Sequence, residues 1–212
     1  MPVVISGTDN FVLNGDSLGT AAAGALDYNG TALYFTPAGT QRGVVPGAQF
    51  FRLDSNLAGA NVNTVQSVFG VGVTLSASTV YAFEAVYAIN KTAGTTSHSI
   101  GIGFGGTATL NNIGYNVTDT FSTTQIQTSA SYQGGTILAA TNTTITGTTT
   151  SAAVFTSVIL KGTVSVNAGG TFIPQYTLSA APGGAYTTVA GSYMLIYPIG
   201  ASGANVNVGT WA

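Results

Sequence analysis

Charge is almost missing from this chain: four Lys and Arg and six Asp and Glu stand among 212 residues, where an ordinary soluble domain gives roughly a quarter of its residues to charge. Water must be met through Thr, Ser, Asn, Gly and backbone. Such a surface is ill suited to acid–base chemistry and suits a durable assembly that does not rely on charge repulsion to stay monomeric. The basic residues Arg42, Arg52, Lys91 and Lys161 are scattered, so there is no footprint for nucleic acid and no such partner is expected. Cysteine is absent, which excludes disulfides and thiolate metal sites and leaves stability to packing and association. No run approaches the roughly 18 apolar residues of a spanning helix, so membrane insertion is not expected. Residues 1–7 lack the basic and apolar regions of a signal peptide, which predicts that the usual secretory route is not used; release of a particle by lysis needs no such signal.

Helix formers are scarce as well, while glycine occurs 29 times and threonine is the most frequent residue, so the class is all-β. Alternation is clearest over 80–90, where Tyr81, Phe83, Ala85, Tyr87 and Ile89 share one face and Val80, Ala82, Glu84, Val86 and Ala88 the other. Neither face is wholly polar, which predicts a strand covered on both sides. Residues 154–166 read as a half-exposed strand with a bend at Gly162, followed by strands over 171–179 and 191–200. Further strands are expected over 48–53, 65–75, 97–104, 113–117, 124–129 and 135–139, at the turn spacing of two packed antiparallel sheets. The Thr-rich stretch 141–151 is either a hydroxyl-lined recognition surface or a solvated edge strand with its loop, and the second reading is favoured because polar β-branched residues suit an edge.

Residues 1–45 read as an arm ahead of a domain over 46–212. In the arm, Asn29-Gly30 between two alternating segments signals a hairpin, with both central residues expected at positive φ. A lone hairpin is marginal in water, so the arm must pack on the domain, on another copy or on a larger particle. Its docking candidates are Leu26, Tyr28, Asn29, Gly30, Tyr34 and Phe35.

No constellation supports catalysis. His98 is the only histidine, and one hydrogen bond would account for it without a triad. Of the acids Asp9, Asp16, Asp27, Asp54, Glu84 and Asp119, Glu84 stands out: either a buried acid with a raised pKa or, as favoured, the partner of Arg52 or Lys91 or an inter-subunit contact. The segment 101–106 (GIGFGG) is a Gly-rich strand end and not a phosphate loop. With one His, no Cys and no acid cluster, neither a metal nor a cofactor is expected. Aromatic residues remain, ten Tyr, ten Phe and one Trp; most should be core and subunit packing, while Tyr132 and Trp211 are the candidates for an exposed ligand contact such as a sugar platform.

Residues 24–37 (GALDYNGTALYFTP), followed by Gln41-Arg42-Gly43, resemble a segment recurring in tailed-bacteriophage structural proteins, especially fibres, where it often precedes a terminal β-domain. Residues 57–90, 161–200 and 208–212 are similar to the C-terminal domain of such proteins. The aromatic strands over 80–90 and 191–199 are also similar in placement to strands of the tumour-necrosis-factor and C1q type of jelly roll. These resemblances imply a jelly-roll-like antiparallel β-sandwich that forms a homotrimer, with Tyr81, Phe83, Tyr87, Tyr193 and Tyr197 as subunit-packing candidates. They imply a non-enzymatic virion protein on the particle exterior, a short fibre or appendage that docks to other virion proteins and contacts a host glycan or protein. There is no long repetitive shaft, which keeps capsid decoration open, and a soluble carbohydrate-binding lectin is the more distant alternative.

Overall fold

The computed structural model describes residues 13, 15, 17–126, 132–203 and 205–211. Among them there is no helix, and sixteen strands, all paired antiparallel, form sheets of three, eight and five strands. An inner strand of the eight-stranded sheet, β8 (Thr79–Lys91), is buried at every second residue and half-buried between, as its alternation predicts. One of its edges pairs with β13 (Val154–Ala168) over twelve consecutive positions, from Lys91 opposite Val154 to Val80 opposite Ser165. Its other edge is divided between β16 (Tyr193–Ala201), which covers Thr79 to Val86, and the short β15 (Thr187–Thr188), which covers Ile89 and Asn90. Beyond these lie β4 (Gln49–Arg52) on β16 and β5 (Leu57–Ala58) on β15. On the far side of β13 comes the hairpin of β10 (Thr109–Ser122) and β11 (Tyr132–Ile137).

The five-stranded sheet is built on β14 (Gly170–Leu178). It pairs along one edge with β9 (Ile100–Gly105), which carries β12 (Thr143–Thr144), and along the other with β6 (Gln66–Ser67) and β7 (Val73–Leu75). The two large sheets face each other across one core, joined at the centre by rings from both sides. Phe83 and Tyr115 from the larger sheet meet Phe104 and Phe172 from the smaller at centroid distances of 5.2 to 6.0 Å. Offset and edge-on packing of this kind adds to the area term.

Most expected strands are present with shifted ends, and the departures have physical causes. The strand expected over 113–117 runs from 109 to 122 because β13 offers pairing along its whole length. The stretch 65–75 is two short strands rather than one, interrupted at Gly70, whose φ is 72°. Of 124–129, residues 124–126 are a bend after β10, and 127–129 lie outside the described residues. Gly162 is not a bend: β13 passes straight through it between Phe83 and Tyr115, and a Cβ there would stand 2.4 Å from that of Tyr115. The glycine is the space the tyrosine needs. The GIGFGG stretch is strand, as expected.

The arm hairpin forms, but not through two residues at positive φ. β1 (Leu26–Tyr28) and β2 (Leu33–Phe35) flank a four-residue loop in which Gly30 alone has positive φ, at 84°. Asn29 instead uses its side chain, Oδ1 accepting from the backbone N–H groups of Thr31 and Ala32 at 3.0 and 2.8 Å, the local turn chemistry of asparagine. A third strand, β3 (Gly43–Val45), pairs with β2, so the arm is a small sheet rather than a lone hairpin.

Gly162→Ala should destabilise the chain by about 1–3 kcal/mol, the range for overpacking a filled core. Urea unfolding should show a lower midpoint with an unchanged slope, whereas Gly135→Ala, at a position where a Cβ meets nothing within 4 Å, should leave the midpoint nearly in place.

Candidate interaction surfaces

Three regions gather the residues with functional potential: the outer face of the eight-stranded sheet, the arm with the C-terminal tail, and a set of buried polar groups. The outer face carries the side chains of β8 that point away from the core. Residues opposite one another in an antiparallel pair share a face, which places Phe50, Leu195 and Glu84 in one row and Arg52, Tyr193, Val86 and Ile159 in the next. Phe50 is 59 % exposed and stacks on Tyr193 at 5.5 Å; Ile159 is 40 % exposed. All four residues of the edge strand β4, QFFR, are exposed. Phe50 continues into an apolar cleft of about 310 Å³ at the edge of the sandwich, lined also by Phe51, Phe69, Val71 and Met194.

The β13–β10 half of this face is polar, with Ser157, Thr163, Asn116 and Thr118 exposed on it, and its acid sits in one cluster at the border with the apolar half. Glu84 accepts from Lys161 Nζ at 2.9 Å and from the Tyr193 hydroxyl at 2.7 Å. These bonds, Lys161 first, hold the Glu84 carboxyl below its usual range, while the hydrogen bond that the Tyr193 hydroxyl donates to that carboxylate holds its proton and pushes its pKa up. Neither expected partner is used. Arg52 pairs with Asp54 two residues on, and Lys91 is 2 % exposed with Nζ donating to the carbonyls of Ala93, Gly94, Ser151 and Ala152.

The expected packing aromatics divide between the two faces. Tyr81, Phe83 and Tyr87 are 2–4 % exposed within the core of the single chain, so alternation removes them from any surface that another copy could reach. Tyr193 and Tyr197, on the outward phase of β16, are half-buried on the open face. Sequence reasoning missed their companions Phe50, Leu195 and Ile159, because the register that brings β4, β16 and β13 to one face is a tertiary fact.

The arm sheet has two unlike faces. Leu26, Tyr28, Leu33, Phe35 and Val45 share one, with Leu26 48 %, Phe35 41 % and Val45 36 % exposed. Asp27, Tyr34 and Val44 share the other, where Arg42 donates to Asp27 at 2.9 Å and to the Gly19 carbonyl at 2.8 Å. The docking candidates therefore separate. Leu26, Tyr28 and Phe35 stand together on the open face; Asn29 and Gly30 form the turn; Tyr34 is 5 % exposed and accepts from the Asn29 amide at 3.3 Å, which makes it internal to the arm. The tail runs beside this sheet, its Val206 packed over Gly200 of β16. Trp211, 79 % exposed, flanks clefts shared with Val44 and Ile199 on one side and Pro37 and Arg42 on the other. Tyr132 begins β11 at the sheet edge, away in sequence and sheet from the arm, and its side chain lies outside the described residues, as do Asp9 and Asp16.

His98 is fully buried and bound at both nitrogens, to the Thr96 carbonyl at 2.7 Å and the Tyr186 hydroxyl at 2.7 Å. Burial lowers its pKa, so it is neutral at pH 7 and ties two loops together. Those loops, around 90–97 and 181–187, pack on each other through the hydrogen bond from Thr96 to the Pro182 carbonyl. Among the described residues no three of His, Cys, Asp and Glu are grouped as metal ligands would be. No family model, curated protein or solved structure matches the chain.

The buried acid is Asp119, not Glu84. It is 1 % exposed, its Oδ2 has no hydrogen-bond partner, and burial pushes its pKa up to about 6. The signal was present in the alternation of 113, 115 and 117, which puts 119 on the core face once the strand is continued by two residues. Because its folded pKa lies above the unfolded one, the stability this group allows is complete below pH 3.8 and is lost as pH rises through about 6. The difference in unfolding free energy between Asp119→Asn and wild type should therefore move in favour of Asn by about 3 kcal/mol from pH 3.5 to 7.5. Urea titrations of both proteins across that range check it; His98, shifted in the opposite sense, cancels in the difference.

Proposed function

We propose that this chain is a non-enzymatic structural protein of a bacteriophage particle, a homotrimeric jelly roll displayed on the particle surface as a short fibre or appendage and docked through its arm. The observation that carries the reading is the apolar part of the outer face of the eight-stranded sheet, around β4, β16 and β8, with the edge strand β4 exposed on both sides. An unpaired apolar edge of this kind invites association, and a chain with ten charged residues has little repulsion to oppose it.

Strand order supports the jelly-roll part. With the arm sheet, the hairpin β10–β11 and the two-residue strands β5 and β15 set aside, β4, β6/β7, β8, β9, β12, β13, β14 and β16 are eight successive positions. Their order across the sheets is first-eighth-third-sixth in one and second-seventh-fourth-fifth in the other, the double Greek key of a jelly roll. The sheet carrying the first and last strands presents the apolar face. In the trimer, Phe50, Tyr193, Leu195, Tyr197 and Ile159 meet their counterparts, and the Glu84–Lys161–Tyr193 cluster supplies the polar contact. The open face of the arm, Leu26, Tyr28 and Phe35, takes the neighbouring virion protein, and the resemblance of 24–37 to phage segments agrees with that role.

Light scattering of the purified chain should give a trimer at micromolar concentration. Phe50→Glu, at a position already 59 % exposed in the single chain, should give a folded monomer; a monomeric wild type would remove the basis of the reading. Leu26→Glu with Phe35→Glu should leave the trimer intact and abolish incorporation into particles. Particles lacking the protein distinguish the roles: an appendage is needed for adsorption, whereas loss of resistance to heat or osmotic shock with normal adsorption replaces it by capsid decoration.

A further inference from the structure

Between the hairpin β10–β11 and strand β12, at the lateral edge of the sandwich, there is a cleft of about 270 Å³ that none of the surfaces above uses. Register explains why it is open. On the inward side of the hairpin Asp119 stands opposite Gln133, Val117 opposite Gly135 and Tyr115 opposite Ile137. The alternation calls for a side chain at 135, yet glycine is there, and a Cβ would meet nothing within 4 Å. The gap is therefore built by one residue in a row whose neighbours are filled.

Asp119 lines the gap, and its Oδ2 is buried without a hydrogen-bond partner. A buried acceptor without a donor is costly, and the pocket supplies no cation: neither Lys, Arg nor His lines it. The polar residues that line it are neutral, Gln133, Thr136, Thr143 and Thr144, with Val117 and Ile145 as the apolar part. Phosphates and carboxylates are disfavoured by the acid, and a divalent ion would find one carboxylate where it needs several oxygens. An ammonium group would satisfy Asp119 but has no acceptor to offer the amide and hydroxyls, whereas a hydroxyl both donates and accepts. The volume lies just under the roughly 300–1,000 Å³ of pockets for drug-sized ligands, which sets the size at one ring.

We infer that this cleft binds a single neutral pyranose ring of a saccharide, one ring hydroxyl donating to Asp119 and others exchanging hydrogen bonds with Gln133, Thr143 and Thr144. The inference stands on the cleft alone and does not depend on trimer formation or on a particle. Asp119 is the only titratable residue lining the cleft; Tyr87 from β8, which interacts electrostatically with Asp119, and Tyr115 from β10 lie behind it in the core, and burial pushes both hydroxyls up, Tyr115 to about 12, so both remain neutral. An ionised carboxylate is the stronger acceptor, so binding should tighten as pH rises through the titration of Asp119.

The test is saturation-transfer NMR on the full chain with glucose, galactose, mannose and N-acetylglucosamine, each at about 10 mM, well above the millimolar dissociation constants expected of single-ring ligands. Methylammonium serves as the cationic control. At least one sugar should bind, more tightly at pH 7.5 than at pH 5. Gly135→Val, which fills the gap on a strand backbone that accepts valine, should weaken binding by about tenfold or more with an unchanged melting temperature and oligomeric state. Asp119→Asn, nearly isosteric, should weaken binding and remove its pH dependence. Absence of binding by every sugar, binding by methylammonium alone, or full binding by Gly135→Val overturns the inference. None of these outcomes bears on the light-scattering or incorporation results, so failure here and failure of the virion reading are separate.

Discussion

The pairing of β8 along both edges is the constraint on which the rest of the structure depends. Thirteen residues of one strand hold β13 on one side and both β16 and β15 on the other, and their inward row from Tyr81 to Ile89 forms the middle of the core. A one-residue slip would turn Tyr81, Phe83 and Tyr87 outward and Glu84 inward. That penalty fixes the register of every neighbouring strand. Phe83 then finds Phe104 and Phe172 across the interior, and Gly162 beside it leaves room for Tyr115.

With the register set, the few charges fall into local tasks rather than a general solvating coat. Lys91 closes four carbonyls where two loops meet β8, Arg42 braces the arm through Asp27 and Gly19, and Lys161 with Tyr193 holds Glu84 on the outer face. Among the described carboxylates, Asp119 is the one that is buried with an oxygen left without a donor. Charge in this protein marks places where chain segments must be joined, and the remaining surface is left to hydroxyls, amides and apolar side chains.

The arm and tail follow the same logic at the other end of the chain. A three-stranded sheet buries Tyr34 and Ala32, leaves Leu26 and Phe35 open, and lies beside a tail that packs through Val206 onto β16. No residue of the arm belongs to the main core cluster. It can present its open face without taking part in the packing of the sandwich.

The sequence by itself determined the class and most of the strands, because glycine and threonine content, scarce helix formers and period-two alternation act locally. It also determined that the arm would turn at Asn29-Gly30, although the mechanism is the asparagine side chain and a single positive φ. Tertiary structure decided what each side chain faces. Alternation distinguishes two sides of a strand but does not say which side meets the second sheet, so Tyr81, Phe83 and Tyr87 read equally well as subunit contacts until the small sheet covered them. The same ambiguity hid the roles of the acids: Glu84 and Asp119 are both carboxylates in mid-strand, and only the pairing of β13 with β10 on one side and with β8 on the other puts one in the core and the other beside Lys161.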